Sequence, residues 1–428
     1  MAIEVLVLGG GYTGVWAARR IARAQRRGVH DDVRVTLVSA SDVHGFHGWT
    51  AEVITGHVRE HRARVALAEL LPGVRLVRGV VTHVDLENRE VQVVEERGIR
   101  VFRYDELVIG VGSRDARERV PGLREHGWSL KDDGGLEALN AHLAEVVSDA
   151  ASISDSVERA RLLTVAVAGG GFAGAEASTA IAQRLRAALD ATPALAGERA
   201  RVVLVHSGSS LLSELRPRFA RVADYSARHV VASGVEMRGG VRVVSVTPAG
   251  AQLRDGSFIA SATVVSAIGQ APVALAGTEG LPRDAAGRAI TDRYLRVAPH
   301  VWAGGDSAAV PHPSGRGACP TNALWAIFHG KRIGANVLRK LRGRRPAPFR
   351  FPGLGQGASF GVGRGAAELY GVQLTGWVAW IARWGFFHWF MPSRRVALAT
   401  AREWFAGPVI AAVPSGEVAR GYSGARQY

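Results

Sequence analysis

The chain has 428 residues, of which 47% are hydrophobic and 52 are glycine. This composition is typical of a globular α/β protein of two or three domains and excludes a disordered or fibrous chain. The net charge of +15 favours anionic partners such as phosphate cofactors or anionic lipid, although an arginine-rich composition alone would also give it. The sequence contains no nucleic-acid-binding module, so nucleic acid is not an expected partner.

The N-terminus, "MAIEVLVLGGG", begins directly with an apolar strand pattern. It has no basic region and no cleavage site of the kind that marks a secretory signal. No window reaches 18 uninterrupted apolar residues, so no transmembrane helix is expected. The single cysteine, Cys319, rules out a disulfide framework within the chain. These observations predict a protein that works on the cytoplasmic side.

The first predicted unit is "IEVLVLGGGYTGVWAARRIAR", an apolar strand, a glycine-rich turn and a helix. The turn has the spacing Gly9-x-Gly11-x-x-Gly14. In such a turn the first glycine permits the tight bend, and the second lets a pyrophosphate approach the backbone. The third lets helix and strand pack closely, and the helix N-terminus directs its free N–H groups at the phosphates. One such turn is weak evidence of a nucleotide site, because glycine turns after strands are common.

The second predicted unit repeats this arrangement in "LLTVAVAGGGFAGAEASTAIAQ". Its glycines are Gly169, Gly171 and Gly174. A polar connector, "SDAASISDSVERA", precedes it. Two such motifs, each between a strand and a helix and about 160 residues apart, strongly indicate two dinucleotide-binding units.

Both units depart from the usual pattern at the end of their second strand. An Asp or Glu normally accepts hydrogen bonds from the ribose hydroxyls there. The first unit has Ser39 in "VRVTLVSAS", with Asp42 close behind, and the second has His206 in "RVVLVHSGSS". Losing the carboxylate in the second unit removes the repulsion that excludes a 2′-phosphate. The residues therefore predict NADH and NADPH as equally plausible coenzymes.

Further along the chain, "LRVAPHVWAGGDSAAV" places Asp306 after two glycines and a short strand, and "YDELVIGVGSR" provides another apolar strand. With the two glycine turns, these segments resemble the flavoproteins that have two dinucleotide-binding domains. The resemblance implies that the first unit binds FAD and the second, inserted unit binds NAD(P)H. Asp306 then matches the aspartate that binds the ribityl and phosphate region of FAD. A solvent-exposed loop aspartate is the alternative for Asp306.

The predicted fold class is α/β, with two Rossmann-like dinucleotide-binding domains and C-terminal amphipathic helices. Residues 1–113 and 276–340 are expected to form a discontinuous FAD domain. Residues 114–275 are expected to form the NAD(P)H domain with its connector, and residues 341–428 a C-terminal region.

Over most of its length the chain resembles the type II NADH:quinone oxidoreductases. The resemblance rests on "GFAGAEAS", "SDVHGFHGWTAEVITG", "YDELVIGVGS", "AGGDSA" and the tryptophan-rich tail. It implies FAD and NADH as cofactors, a quinone acceptor, two C-terminal helices that dock on the membrane, and a homodimer. It also implies that Glu176 lies near the nicotinamide and the flavin. An ordinary first-turn glutamate, stabilised by the helix dipole, is the alternative.

The helix "CPTNALWAIFHGKRIG" does not match the family's quinone-side helix, which typically reads A-Q-x-A-x-Q-x-G. Ala323, Ala326 and Gly330 align, and we expect Leu324 and His329 to replace the two glutamines. His329 is a candidate proton donor, since the unperturbed pKa of histidine lies near neutrality. The alternative is a structural histidine. Cys319 at the start of this helix is expected to be inert packing, although it borders the predicted pocket.

The loop with His44, His47 and Trp49 is the other expected wall of the substrate pocket. In the family the corresponding segment passes close to the isoalloxazine. Two histidines and a tryptophan would suit a flat aromatic acceptor. A packed loop is the alternative.

The tail contains "GWVAWIARWGFFHWFMPSRR", a helical stripe of large side chains that ends in two arginines. The stripe consists of Trp377, Trp380, Ile381, Trp384, Phe387 and His388. The run is too short, and with Arg383 too charged, to cross a bilayer. Tryptophan and arginine together indicate a helix in the interface of a membrane. A dimer seam or a lid would bury the same stripe.

Three functions are consistent with these residues. The first is a membrane-peripheral NAD(P)H:quinone oxidoreductase on the inner face of the cytoplasmic membrane. The second is a soluble flavin-dependent oxidoreductase with another small-molecule acceptor, and the third is a nucleotide-sensing protein without turnover. Glu176 and His329 are the candidates for proton delivery. A thiol/disulfide reductase is excluded because no cysteine pair exists, and no metal site is expected.

Overall fold

The computed structural model describes residues 2–28 and 32–408. In chain order its strands are β1 (Ile3–Leu8), β2 (Val33–Ser39), β3 (Val43–Gly45), β4 (Arg64–Ala66), β5 (Arg75–Arg78), β6 (Val80–Asp85), β7 (Glu90–Glu95), β8 (Gly98–Arg103), β9 (Glu106–Ile109), β10 (Ser113–Asp115), β11 (Gly127–Ser129), β12 (Thr164–Ala168), β13 (Arg201–Val205), β14 (Val235–Arg238), β15 (Val243–Thr247), β16 (Gly250–Leu253), β17 (Phe258–Ala260), β18 (Thr263–Ser266), β19 (Gln270–Pro272), β20 (Ala289–Ile290), β21 (Arg296–Ala298), β22 (Val301–Ala303), β23 (Ala308–Ala309), β24 (Gly355–Ser359), β25 (Gly365–Leu369) and β26 (Val372–Gly376).

The α-helices are α1 (Tyr12–Gln25), α2 (Thr50–Ile54), α3 (Leu67–Leu70), α4 (Leu123–His126), α5 (Gly135–Ser152), α6 (Ser156–Leu162), α7 (Phe172–Asp190), α8 (Ala220–Ala232), α9 (Ala323–Leu341), α10 (Trp377–Phe390) and α11 (Arg394–Ala406). Short 3-10 turns, among them His47–Trp49 and Gly305–Ser307, connect several of these elements.

The chain forms two compact units. Unit 1 comprises Met1–Phe46, Arg64–Arg114 and Gln270–Gly353, and unit 2 comprises His47–Ala63, Asp115–Gly269 and Leu354–Tyr428. The cuts after residues 114 and 269 lie close to the predicted cuts after 113 and 275. Residues 47–63 are in unit 2, and so are the described residues from 354 onwards.

Unit 1 is built on a mostly parallel sheet with the strand order β21-β22-β9-β1-β2-β5. Strand β1 lies at its centre, parallel to both β2 and β9, and its last four residues are buried. Helices α1 and α9 pack closely because α9 has glycine where it crosses α1. A Cβ on Gly330 would lie only 2.3 Å from the carbonyl oxygen of Thr13, and one on Gly334 would lie 2.7 Å from that of Ala17. Larger residues would force the helices apart.

Unit 2 is built on a parallel sheet with the strand order β11-β18-β12-β13-β14. Every residue of its central strand β12 is buried, as expected for a parallel sheet covered on both faces. Two small antiparallel sheets, β15-β16-β17 and β24-β25-β26, belong to the same unit. The second of these leads directly into α10 and α11. The two nucleotide-binding-type sheets and the C-terminal helices confirm the predicted fold class.

Among the described residues, no helix combines the length and the apolar character that crossing a membrane requires.

Candidate functional site

The glycine turn of unit 1 has the geometry that its spacing predicts. Gly9, directly after β1, has a φ of +101°, in the left-handed region that favours glycine. A Cβ on Gly14 would lie 1.9 Å from the carbonyl oxygen of Gly9, whereas the nearest atom to a Cβ on Gly11 would be 3.9 Å away. The first and third glycines are therefore required by the backbone, and the second leaves open space above the N-terminus of α1.

The glycine turn of unit 2 repeats this geometry. Gly169 has a φ of +122°, and a Cβ on Gly174 would lie 1.9 Å from its carbonyl oxygen. No atom lies within 4 Å of a Cβ on Gly171. Neither α1 nor α7 has an acidic residue in its first turn, so the helix N-termini keep the positive potential that attracts phosphate. Both turns thus fit a pyrophosphate.

Ser39 and His206 lie beside these turns, as their positions in sequence predict. The Ser39 hydroxyl would lie 2.6 Å from a Cβ on Gly10, and the His206 Cβ would lie 2.4 Å from a Cβ on Gly170. His206 is buried, and burial lowers the pKa of its imidazole. The ring is therefore neutral at physiological pH, and no carboxylate replaces it at the end of β13.

Asp306 lies in the 3-10 turn Gly305–Ser307 of unit 1. Its carboxylate accepts a hydrogen bond from the Ser113 hydroxyl at 2.7 Å, and the residue is partly buried. The position is compatible with the FAD contact that the resemblance implies. Ser113, which sequence reasoning missed, belongs to the same polar group; its place at the end of "VIGVGS" was the available signal.

His329 is buried in unit 1 with only 1% of its surface exposed. Its Nδ1 accepts a hydrogen bond from the backbone N–H of Gly305 at 3.0 Å, so the ring hydrogen is on Nε2. Burial lowers the pKa of His329 to about 3. A neutral imidazole of this kind is a poor proton donor, and the geometry favours the structural alternative over proton delivery.

The helix that carries His329 also requires a correction of register. Counted from Ala323, the second glutamine of the family pattern falls on Phe328, one residue before His329. The Phe328 ring stacks on Phe351 at a centroid distance of 3.9 Å. Leu324, at the first glutamine position, is buried. The helix therefore has two apolar groups where the family has two amides.

Cys319 precedes this helix in a buried position. Burial raises the pKa of its thiol to about 12, and the sulfur lies 3.7 Å from the carbonyl oxygen of Pro311. The thiol stays protonated at physiological pH, which agrees with a packing role rather than a reactive one.

The predicted pocket-wall residues His44, His47 and Trp49 belong to different environments. His44 is buried in unit 1, where its Nδ1–H donates to the Gly10 carbonyl oxygen at 2.9 Å. His47 is exposed and Trp49 is fully buried, both in unit 2. Trp49 packs edge-on against Phe387 at 5.3 Å. The packed-loop alternative therefore describes His44 and Trp49.

Glu176 is the predicted site residue with the most distinctive surroundings. The guanidinium of Arg383 pairs with both Glu176 and Glu52. Its Nη2 lies 2.8 Å from Glu176 Oε1, and its Nη1 lies 2.7 Å from Glu52 Oε1. The backbone N–H of Ser359 donates to Glu176 at 2.7 Å. The side chains of Glu52 and Arg383 are 6% and 5% exposed, and that of Glu176 is 18% exposed. Glu176 is the fifth residue of α7, beyond the first turn of the helix, and it belongs to a buried ion cluster.

The pKa of Glu176 is raised to about 7 in these surroundings. Burial is the main cause, the Arg383 charge opposes it, and the Glu52 charge adds to it. Sequence reasoning missed Glu52 and treated Arg383 only as a charge that prevents membrane crossing. A single arginine inside an otherwise aromatic helix was the signal that could have revealed a buried partner.

The predicted aromatic stripe of α10 divides between two faces. Trp384, Phe387 and His388 are partly buried, and Trp49 and Trp384 pack against the His388 ring. Trp377 and Ile381 are exposed instead. Six large apolar side chains of α10 and α11 are exposed and are here called the apolar face: Trp377, Val378, Ile381, Trp389, Leu398 and Phe405.

Comparison with known proteins identifies the class that this arrangement defines. Two Rossmann-type sheets, each with an open glycine turn, form the scaffold of a pyridine-nucleotide oxidoreductase. Residues 3–326 match the sequence profile of the pyridine nucleotide-disulphide oxidoreductase family. The chain therefore belongs to that family.

The alignments with named relatives cover most of this chain and most of each relative. An NADH dehydrogenase-like protein of Mycobacterium tuberculosis is 32% identical over 324 residues, which is 72% of this chain and 73% of the relative. The type II NADH:quinone oxidoreductase of the same species is 28% identical over 399 residues, or 88% and 82% of the two chains. The demethylphylloquinone reductase of Synechocystis is 24% identical over 414 residues, or 95% and 96%.

Solved structures agree in fold. NDH2 from Plasmodium falciparum in complex with NADH superposes with a TM-score of 0.83 at 13% identity, covering 95% of this chain and 98% of its own. The sulfide:quinone oxidoreductase of Aquifex aeolicus gives a TM-score of 0.66 at 16% identity, covering 93% and 92%. Together with the family match, these similarities confirm the prediction of an FAD- and nicotinamide-dependent oxidoreductase that resembles the type II NADH:quinone oxidoreductases.

Proposed function

We propose that the protein is an FAD-dependent enzyme that takes hydride from NADH and passes electrons to a quinone-like acceptor at a membrane surface. The observation that carries the proposal is the pair of open glycine turns, one in each unit. The names of the relatives, type II NADH:quinone oxidoreductase and demethylphylloquinone reductase, support NADH and a quinone as the two substrates.

The residues that would hold the cofactors follow from this geometry. Backbone N–H groups at the start of α1 would bind the FAD pyrophosphate at Gly9, Gly11 and Gly14, with Ser39 and Asp306 on the ribose and ribityl side. When bound, FAD supplies the two-electron chemistry that links the nicotinamide to the acceptor. In unit 2, Gly169, Gly171, Gly174 and His206 would hold the nicotinamide nucleotide. The protein binds, orients and shields the reactants.

Glu176 is the residue proposed to hold a proton in this reaction. Its carboxyl is largely buried against Arg383, and its pKa of about 7 lets it carry a proton at neutral pH and release it. His329 has no such role in the proposal, because its imidazole is neutral and both its burial and its Gly305 hydrogen bond keep it so.

The coenzyme proposed is NADH, with weak discrimination against NADPH. The buried His206 occupies the position from which a carboxylate would repel a 2′-phosphate. NADPH is therefore expected to reduce the enzyme as well, with a measurable but lower efficiency.

The apolar face supports action at a membrane surface. Ile381 is 57% exposed and Phe405 is 89% exposed, and exposed Arg394, Arg395 and Arg402 lie along α11. Large apolar side chains next to arginine favour the interfacial region of an anionic bilayer. We propose peripheral binding to the inner face of the cytoplasmic membrane. The alternative for the same face is the seam of a homodimer.

The chemistry is tested on one purified preparation. A yellow flavin spectrum that is bleached anaerobically by NADH, and restored by a short-chain quinone faster than by oxygen alone, is the expected result. Flavin that bleaches but is not reoxidised by quinone would instead favour a second function, a soluble oxidoreductase with another acceptor. The apolar Leu324 and Phe328 in place of two amides are the observation that supports that second function. Absence of bleaching would leave only a nucleotide-sensing role.

The membrane contact is tested by flotation with liposomes of mixed neutral and anionic lipid. The intact chain is expected to float with the liposomes, and the double variant Ile381→Glu/Leu398→Glu is expected to remain in the bottom fraction of the gradient. The matched control Ile99→Glu/Val101→Glu changes exposed apolar residues of β8 in unit 1 and should float like the wild type. If the intact chain does not float and the double variant changes the protein from dimer to monomer, the apolar face is the seam of a homodimer.

A further inference from the structure

The ion cluster of Glu52, Glu176 and Arg383 carries more negative than positive charge. One guanidinium neutralises one carboxylate, so two ionised carboxylates leave a net charge of −1. The three side chains are at most 18% exposed, and an unbalanced charge in such surroundings costs free energy. Binding of one proton restores neutrality, and the cluster is therefore suited to take up a single proton.

A small pocket adjoins this cluster on the Glu52 side. It is partly open and is lined by the α2 segment, the middle of α7, the turn after β24 and Trp404 of α11. Two polar atoms of its lining, Thr179 Oγ1 and Trp404 Nε1, are buried without a hydrogen-bond partner among the described residues. Buried polar atoms of this kind are normally satisfied by water, and the pocket has room for about one water molecule.

The proposed reaction needs one proton from solvent in each turnover. A quinone takes two electrons and two protons to become a quinol. NADH gives two electrons and one proton as hydride and leaves as NAD⁺. The balance is NADH + quinone + H⁺ → NAD⁺ + quinol, so the second proton must come from water.

We propose that Glu52 and Glu176 form a store for this single proton, and that the pocket beside Glu52 is the water-filled route by which the store is reloaded. The inference rests on the proposed function, since only an acceptor that is protonated on reduction needs such a supply. Glu52 acts through Glu176 and is therefore a positioning residue rather than a group that contacts the substrate.

Three other ionisable side chains face the store. Arg383 and His388 approach from α10, and His57 approaches from the segment after α2. Burial lowers the pKa of both histidines, so they are neutral at physiological pH. His57 stacks on Trp404 at 5.2 Å, and its Nδ1 lies 2.9 Å from the Thr55 hydroxyl. His57, Thr55 and Trp404 line the pocket beside Glu52.

The variant Glu52→Gln tests the store. Removing the Glu52 charge removes one influence that raises the pKa of Glu176, so Glu176 loses its proton at a lower pH. The rate of quinone-dependent flavin reoxidation is expected to decline with rising pH at least one unit earlier than in the wild type. Near pH 7 the variant should reoxidise about tenfold more slowly. Glu158→Gln, in the partly exposed α6 pair with Arg161, is the matched control and should keep the wild-type profile.

The variant Thr179→Val tests the route. It keeps the side-chain volume and removes the hydroxyl that faces the pocket, so proton supply becomes slower while Glu52 remains. We expect a lower turnover number with quinone, an unchanged KM for quinone and a solvent deuterium isotope effect at least twofold larger than that of the wild type. Thr192→Val, which removes a hydroxyl bonded to Ala188 at the end of the same helix, should change neither quantity. Melting temperature and bound flavin verify that each variant is folded.

The outcomes separate this inference from the proposed function. If the wild type transfers electrons from NADH to quinone, a wild-type pH profile in Glu52→Gln together with an unchanged isotope effect in Thr179→Val would overturn the proton store and its route. If NADH bleaches the wild-type flavin but quinone fails to reoxidise it, the proposed function fails. The store then fails with it, since no acceptor would require the proton.

Discussion

The two units have the same glycine turn but surround it with different chemistry. In unit 1, the turn lies near a polar group of Ser113 and Asp306 and a neutral His329 bonded to Gly305. In unit 2, the helix that follows the turn carries Glu176, which is tied to Arg383 in a charged cluster. The backbone geometry of the turn is the same in both units, and the side chains around it differ in charge and in burial.

The likeness of the two turns is quantitative. A Cβ on the third glycine would lie 1.9 Å from the carbonyl oxygen of the first glycine in both units. No such identity holds for the neighbours, where a serine in one unit corresponds to a histidine in the other. The steric constraints of the backbone are therefore repeated between the units, whereas the side chains beside the turns are not.

The largest expected effects come from the third glycines. Gly14→Ala and Gly174→Ala each introduce a methyl group that overlaps a backbone carbonyl, so each turn must distort. We expect Gly14→Ala to be purified with less than about one tenth of the wild-type flavin, measured by absorbance. Gly174→Ala should keep its flavin, while its KM for NADH rises about tenfold or more.

Gly280→Ala is the control for this pair, because no atom lies within 4 Å of its added Cβ and its φ is not in the left-handed region. It should retain both properties. If the two turn variants lost flavin equally, the assignment of one cofactor to each unit would be wrong.

The next effect concerns buried charge in the two units. In unit 2, Arg383→Met leaves two buried carboxylates without their cation, and we expect a loss of about 3 to 5 kcal/mol in the free energy of unfolding. In unit 1, the buried Glu106 is bound by Lys340 and also accepts from Trp302 Nε1 at 2.7 Å, with His300 at 2.9 Å. Lys340→Met should therefore cost only about 1 kcal/mol.

Denaturant unfolding, followed by tryptophan fluorescence, measures both losses. Equal costs would show that Glu106 depends on Lys340 alone. Restoration of stability in Arg383→Met by adding Glu52→Gln would show that unpaired charge, rather than lost packing of α10, is the cause.

The two units are expected to respond to pH with opposite signs. The pKa of Glu176 is raised from 4.5 to about 7 in the folded protein, so the folded state binds its proton more tightly than the unfolded state. The contribution of Glu176 to the free energy of unfolding is complete below pH 4.5 and is lost as pH rises to about 7. The loss amounts to about 3 kcal/mol. The pKa of His329 is lowered from 6.5 to about 3. Its contribution is present above pH 6.5 and is lost as pH falls towards 3.

Melting temperatures of Glu176→Gln and His329→Gln, measured against the wild type from pH 4 to pH 8, test these signs. The wild type minus Glu176→Gln difference should decrease as pH rises, and the wild type minus His329→Gln difference should increase. Slopes of the same sign in both variants would contradict the contrast between the units.

The sequence predicts the parts of this comparison that the backbone determines. The spacing of Gly9, Gly11 and Gly14, and its repeat at Gly169, indicates strand, turn and helix because each glycine answers a local steric requirement. The apolar strands and the C-terminal helices follow from periodicity in the same way. The position of Ser39 and His206 beside their turns also follows, since they end the next strand of a parallel sheet.

The charge cluster was not predictable from sequence in the same way. Glu52, Glu176 and Arg383 are separated by more than a hundred residues along the chain and meet only through tertiary packing within unit 2. The aromatic stripe of α10 was predicted as one surface, but Trp384 and Phe387 are partly buried whereas Ile381 is exposed. A helix that is apolar on nearly all sides gives no periodicity from which to choose the inward face. The sequence left the role of His329 open between a proton donor and a structural histidine for a related reason, because burial cannot be read from residue type.

The smallest expected effect concerns the residue at the end of the second strand of each unit, Ser39 in unit 1 and His206 in unit 2, and the preference for NADH over NADPH. His206→Asp introduces a carboxylate that accepts from a ribose 2′-hydroxyl and repels a 2′-phosphate, and the aspartate side chain is smaller than the histidine that it replaces. The ratio of kcat/KM for NADH over NADPH should rise about tenfold, or about 1.4 kcal/mol. Ser39→Asp, the matched change in unit 1, should leave this ratio unchanged and only tighten FAD, because FAD carries no 2′-phosphate. A shift of the ratio by Ser39→Asp would mean that unit 1 also binds the coenzyme. The assignment of one cofactor to each glycine turn would then be wrong, because that assignment depends on the side chains beside the turns and not on the backbone that the turns share.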